Sequence, residues 1–202
     1  MGIIEEFIGV WKESNQGKSL SIIKEGEILR CLWTEVKGEL EYKRSGIGIL
    51  INNKLYVSRF SESASKVGIG IYKSIGDGRS NSALWASTQS LNTMGSGIAI
   101  RENISDGYEG KYKVRYFING MESPTYDLSI VYIESEIHSL QWSIDEKVKL
   151  HGIGVLDDDC MALAWGEVDF NYEVCILIIG KDKKLNCKFA SLGECIESEI
   201  YY

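Results

Sequence analysis

Gly46-Ile-Gly-Ile-Leu-Ile-Asn-Asn-Lys-Leu-Tyr-Val57 and Gly152-Ile-Gly-Val-Leu-Asp-Asp-Asp-Cys-Met-Ala-Leu163 are two versions of one pattern. In each, an apolar run breaks at two or three Asn or Asp residues and then resumes, which is how two strands joined by a tight turn read. Outward from this hairpin the likeness continues. Leu32-Trp33 matches Gln141-Trp142, Ser19-Leu-Ser-Ile-Ile23 matches Asp127-Leu-Ser-Ile-Val131, and Ile8-Gly-Val-Trp11 matches Glu109-Gly-Lys-Tyr112. Downstream, Leu84-Trp-Ala-Ser87 matches Lys188-Phe-Ala-Ser191. The offset drifts from 109 at the tryptophans to 106 at the glycines and 104 at the Trp85/Phe189 pair, as small loop insertions would leave it. A period near half the chain means a duplicated module, because solenoid repeats would recur more often. The seam falls near Asn103-Ile-Ser-Asp-Gly107, dividing the chain into a first repeat, 1–105, and a second, 106–202.

The 202 residues are 44% hydrophobic, enough to bury a core in one domain or in two of about 100 residues each. Twenty-one glycines against one proline, with Ile, Val, Tyr and Trp spread throughout, favour many short strands over helices. No stretch has a convincing 3.6-residue period. Strands are expected near 7–11, 19–24, 28–35, 44–51, 54–60, 67–74, 82–87 and 97–101 in the first repeat. The second places them near 109–117, 126–133, 137–143, 150–156, 160–166, 173–179, 185–190 and 195–201. Turn residues at Lys24-Glu-Gly-Glu27, Asn52-Asn53, Gly76-Asp-Gly78, Asn119-Gly120, Asp157-Asp-Asp159 and Gly180-Lys-Asp-Lys183 bound them. Eight short strands in order in each repeat predict an all-β fold of two homologous antiparallel up-and-down β-barrel-like modules, each a barrel or a strongly curled meander, which removes the exposed edges. The run Val174-Cys-Ile-Leu-Ile-Ile179 lacks alternation, so it is expected to be covered on both faces, by the other module or another subunit.

Charge is unevenly shared. The chain carries −7 in all, +2 on the first repeat and −9 on the second. An acidic chain without a basic stripe lacks the footprint that phosphate backbones or anionic membranes demand, so neither nucleic acid nor a membrane surface is an expected partner. No apolar run reaches membrane-spanning length and no signal peptide is visible, which makes the cytoplasm the expected location. The five cysteines show no C-x-x-C spacing; buried free thiols are the expected reading, with a Cys175–Cys187 bridge the alternative.

Two resemblances follow from these motifs. Ile8-Gly-Val-Trp-Lys12, the polar loop with Ser14, Asn15 and Gly17, and the strand pair from Leu20-Ser-Ile-Ile23 to Gly26-Glu-Ile-Leu29 resemble the first hairpin of avidin-type and other lipocalin-like barrels. That likeness spans about 30 residues and implies a barrel that holds a small molecule. Tyr108-x-Gly110, Leu140-Gln-Trp142, Gly152-Ile-Gly154, Met161-Ala-Leu-Ala-Trp-Gly166 and Gly193-Glu194 are similar to the units of uncharacterised bacterial tandem-repeat all-β proteins, a likeness that implies fold and no chemistry. The first repeat departs from that unit at Tyr56-Val-Ser-Arg-Phe60, where Trp-Gly would stand.

Motifs that would name a reaction are missing. Gly46-Ile-Gly48, Gly68-Ile-Gly70, Gly95-Ser-Gly97 and Gly152-Ile-Gly154 lack the third glycine and following helix of a phosphate loop, and read as sites where strands bend or pack closely. Asp157-Asp-Asp159 with Glu167 and Asp169 lacks calcium-loop spacing and reads as a solvated hairpin tip. His138 and His151 are the only histidines, neither beside a nucleophile motif nor among zinc-ligand spacings; His151, next to the Gly-Ile-Gly bend, is the better site candidate, though a structural role is favoured. No metal or organic cofactor is expected.

The aromatic residues carry the functional expectation. Trp11, Trp33, Trp85, Trp142 and Trp165 each fall inside an expected strand, and an inward indole either fills a barrel or lines a pocket with an apolar wall and an N–H donor. The leading reading is a non-catalytic module that binds a small apolar or aromatic ligand. The alternatives are a structural or interaction protein, forming a homo-oligomer or meeting a basic partner through its acidic second repeat, and a barrel isomerase or hydrolase.

Overall fold

The computed structural model describes every residue except 1–2, 14–16, 62–63, 65, 105, 135, 168–170 and 193–195. The expectations placed on Ser14, Asn15, Asp169, Gly193-Glu194 and Cys195, and part of the repeat seam, lie outside the described residues. A short helix, α1 (Ile3–Phe7), precedes seventeen strands. The first repeat forms β1 (Gly9–Lys12), β2 (Lys18–Glu25), β3 (Ile28–Lys37), β4 (Leu40–Ile51), β5 (Lys54–Ser61), β6 (Val67–Ser74), β7 (Ser80–Ser87) and β8 (Gly95–Arg101). The second forms β9 (Gly110–Ile118), the two-residue β10 (Met121–Glu122), β11 (Tyr126–Glu134), β12 (Ile137–Ile144), β13 (Lys147–Asp157), β14 (Cys160–Gly166), β15 (Tyr172–Ile179), β16 (Leu185–Ala190) and β17 (Glu197–Tyr201).

These strands make two antiparallel barrels, as the repeat predicts. The β4–β5 turn has both central residues, Asn52 and Asn53, in the left-handed region at φ 49° and 63°, the geometry a two-residue hairpin requires and Asn tolerates. α1 was not expected: five residues make too short a segment to show a helical period. It brings Phe7 into the first barrel, 1% exposed, with the Trp11 indole Nε1 donating to the Phe7 carbonyl at 3.0 Å.

The barrels do not follow the repeat boundary. The first runs β1-β2-β3-β4-β5-β15-β16-β17, so five strands of the first repeat are completed by three of the second. The second runs β9-β11-β12-β13-β14-β6-β7-β8 and closes through β8–β9, with β10 extending β9. The division at 105/106 thus separates two repeats in sequence but not two barrels in space. The first barrel's seam is slight: Lys12 and Tyr202 exchange backbone hydrogen bonds at 3.0 and 2.8 Å beside a single bridge from Glu13 to Tyr201. The second barrel's seam pairs six residues, Ser96–Arg101, with Phe117–Tyr112.

Strand exchange explains the burial pattern. β5, β6, β14 and β15 are covered on both faces, one by a barrel interior and one by the other barrel. Within β15, Cys175 and Leu177 face the first interior while Val174 and Ile176 meet the opposing barrel. In Gly46-Ile-Gly48 and Gly152-Ile-Gly154 the glycines lie inward, where a Cβ would crowd Trp33, Leu55, Trp142 or Met161, and Ile47 and Ile153 join the interface. Close packing is therefore the reason for these glycines, as expected.

At the interface the hairpin tips meet. Lys54 Nζ lies 2.7 Å from Asp157 and 2.8 Å from Asp158, Lys73 pairs with Asp159, and the Tyr56 hydroxyl donates to Asp157 at 2.8 Å. The acidic turn is thus bound to lysines, and among the described residues no group of three or more His, Cys, Asp or Glu could hold a metal ion. Cys31, Cys160, Cys175 and Cys187 are free and buried. Among the described residues no helix is long and apolar enough to cross a membrane.

Candidate functional site

Register makes the two barrels comparable position by position. Leu20 pairs with Trp33 and Leu128 with Trp142; on the next strand Trp33 pairs with Arg44 and Trp142 with Leu150, and each ring reaches diagonally over a glycine, Gly46 opposite Arg59 and Gly152 opposite Trp165. Continuing, Arg59 pairs with Glu173 where Trp165 pairs with Gly68. Phe189 pairs with Glu197, and Cys187 with Glu199, where Trp85 pairs with Gly95 and Ala83 with Gly97. Three glycines lining one mouth are therefore three glutamates in the other, and one tryptophan is an arginine.

The second barrel's mouth is packed with rings. A Cβ on Gly68 would lie 2.0 Å from the Trp165 ring, one on Gly95 2.2 Å from Trp85, and one on Gly97 2.7 Å from Tyr116, so the missing side chains are what admit these rings. Trp85 meets Tyr116 edge-on at 6.0 Å and Trp165 at 6.4 Å between centroids. The Trp142 indole donates to the Tyr116 hydroxyl at 2.7 Å, which itself lies 2.5 Å from the Tyr72 hydroxyl. Burial and the neighbouring Tyr72 push the Tyr116 phenol well above its usual range, so it stays a neutral acceptor for Trp142.

The first barrel's mouth is charged and open. A recess of about 300 Å³ is lined by Lys18, Ser19, Trp33, Thr34, Glu35, Tyr42, Arg44, Arg59, Glu173, Phe189, Glu197, Glu199 and Tyr201. Arg59 is 6% exposed. Its guanidinium pairs with Glu173 through Nε, approaches Glu199 at 3.8 Å, and lies 4.3 Å from the Phe189 centroid and 5.4 Å from Trp33. Arg44 also pairs with Glu173. Glu199 accepts from Tyr201 at 2.5 Å and Lys18 at 3.0 Å. Burial pushes the Glu199 carboxyl up, but those two hydrogen bonds and the charges of Arg59 and Lys18 outweigh it, holding the carboxyl below the usual carboxylate range. Trp33 is 6% exposed, and its buried Nε1 has no hydrogen-bond partner among the described residues. Its counterpart Trp142 has Tyr116.

Of the expected site residues, Trp85, Trp142 and Trp165 come together at the second mouth and Trp33 stands at the first. Trp11 is bound to Phe7 instead of lining the recess. His151 lies outside both interiors, on the face of β13 opposite Gly152, next to Gln141 and Gly166. The inward histidine is His138, fully buried, with Nε2 2.9 Å from Glu109 and Nδ1 3.1 Å from the Glu136 carbonyl.

Sequence reading missed the charged members of the recess. Two signals were present: Arg59 within Tyr56-Val-Ser-Arg-Phe60, the departure from the repeat unit, and Glu173, a lone charge opening the apolar run of β15. No family model matches the chain, and no curated protein or solved structure matches it.

Proposed function

We propose that the protein is a non-catalytic small-molecule-binding barrel whose site is the mouth of the first barrel. The observation that carries this reading is the recess of about 300 Å³ at this mouth, lined by Trp33, Arg59 and Phe189 and at the small end of the range for ligand sites. The same place in the second barrel is filled by its own side chains, which supports a site at the first mouth and not at the second. The charged lining moves the ligand away from the apolar guest that five tryptophans suggested, because covering these ion pairs with an apolar molecule removes water and returns no hydrogen bonds. A barrel that carries one small molecule is also what the avidin-type likeness at Ile8–Lys12 implies. Four unpaired buried thiols support a reducing, cytoplasmic setting.

Fluorine NMR of the chain labelled with 5-fluorotryptophan tests the proposal, with the Trp33 resonance assigned from Trp33→Phe. Protein purified gently from its own host should show a reproducible small adduct by native mass spectrometry, and its release should move the Trp33 resonance alone. A Trp33 resonance that no small molecule or host extract moves would sink the reading.

A further inference from the structure

Deepening the small-ligand reading on which it rests, we infer that the recess takes a neutral, polyhydroxylated ligand: a saccharide, bound by ring stacking and by hydrogen bonds to preformed ion pairs. The lining carries three cations and four carboxylates, and its innermost charges are already satisfied by one another. An anionic ligand must compete with Glu173 for Arg59 and Arg44, and lie among the carboxylates. A cationic ligand finds its natural seat, between the carboxylates and over the Phe189 ring, occupied by the Arg59 guanidinium. A neutral ligand displaces no charge.

Hydroxyls suit the remaining valences. One hydroxyl donates once and accepts twice, so a single group accepts from a guanidinium or an ammonium while donating to a carboxylate. Guanidinium and carboxylate groups held by each other are pre-oriented, and charge-assisted hydrogen bonds are the stronger kind. Arg59 is held by Glu173 and packed against two rings, so its remaining donors stay in place without a ligand. The half-exposed Tyr42 ring at the rim, with the Lys37 ammonium 5.7 Å from its centroid, adds an aromatic wall against which the polarised C–H face of a sugar ring can lie. The second barrel, with Gly95 and Gly97 where the first has Glu197 and Glu199, has no such carboxylates in its mouth.

The test titrates the fluorotryptophan-labelled full chain at millimolar ligand with two panels. One holds glucose, galactose, mannose, N-acetylglucosamine, maltose, cellobiose and lactose; the other holds indole, benzoate, benzamide, benzylamine and inorganic phosphate. The expected result is a saturable shift of the Trp33 resonance by at least one sugar, weakened about tenfold or more by Glu197→Ala, a change at an exposed position that leaves the thermal midpoint in place. Equal binding of the methyl glycoside assigns the site to a glycan end, and loss of binding assigns it to a free sugar. If a member of the second panel binds at Trp33 more tightly than every sugar, the saccharide inference fails and the small-ligand reading stands. Should a sugar move another tryptophan and not Trp33, the placement is wrong. Silence of Trp33 to both panels and to the host extract removes both readings.

Discussion

Arg59 of the first barrel and Trp165 of the second occupy one register position, each directly opposite the first glycine of a Gly-Ile-Gly motif, Gly46 and Gly152. What lies on the other side of each decides its chemistry. Trp165 has Gly68 beside it and lays its ring into the vacant space; Arg59 has Glu173 and forms an ion pair. The exchange is concerted, because a tryptophan beside Glu173 would leave a carboxylate at a closed mouth, and an arginine beside Gly68 would leave a guanidinium among rings.

Gly68→Ala should therefore be costly, since its Cβ would meet the Trp165 ring at 2.0 Å. Overpacking of this kind costs about 1–3 kcal/mol. In urea denaturation, Trp165→Leu introduced into Gly68→Ala should recover part of that loss, a coupling that two independent sites would not show.

Arg59→Met should lower stability by about 1–3 kcal/mol, less than the cost of stranding a buried charge, because Glu173 loses one of its two arginine partners and keeps Arg44. Adding Glu173→Gln should restore part of it, because the carboxylate left with Arg44 as its one arginine partner is then gone. A double variant no more stable than Arg59→Met would place the arginine's worth in its packing on Phe189 and Trp33.

Tyr116→Phe removes the acceptor of the Trp142 indole and the neighbour of the Tyr72 hydroxyl. Leaving buried polar groups unpaired costs about 1–3 kcal/mol. The thermal midpoint should fall, and Trp142→Phe should cost less in the Tyr116→Phe background than in the wild type.

The Lys18–Glu199 contact gives stability two pH limits. Burial opposes the charge on Glu199, but Tyr201, Lys18 and Arg59 hold its folded value below the ordinary 4.5, so its contribution is present above that value and is lost as pH falls through the folded one. Lys18, opposed by burial but favoured by Glu199, lies above its ordinary 10.5, so its contribution is present below that value and lost as pH rises through the folded one. Glu199→Gln should flatten the acid limb and weaken the alkaline one in urea titrations across pH.

Burial raises the Cys31 and Cys160 thiols and contributes to the rise at Cys187, whose first cause is its contact with Cys175. In a Cys195→Ser variant, Ellman's reagent should find no reactive thiol in the native protein and four after unfolding. A fast-reacting Cys160 would show that the interface between barrels opens.

Most strands were legible in the sequence, because their signals are local. Alternation such as Leu128, Ile130 and the paired Asn52-Asn53 turn act within a few residues, and the repeat located the same hairpin twice. It also marked the glycines as close-packing sites and the run 174–179 as covered on both faces. Which barrel each strand joins is set by long-range pairing and was not legible there. The pairings β5–β15 and β6–β14 link strands about a hundred residues apart, and each repeat's last three strands could close its own barrel or its neighbour's with the same apolar pattern. The mouth followed from that choice. Arg59 and Glu173 belong to different repeats and meet only because the strands are exchanged, while Trp165 meets Gly68 for the same reason. Residue type announces a charge or a ring; its partner is set by register across strands that the chain brings together last.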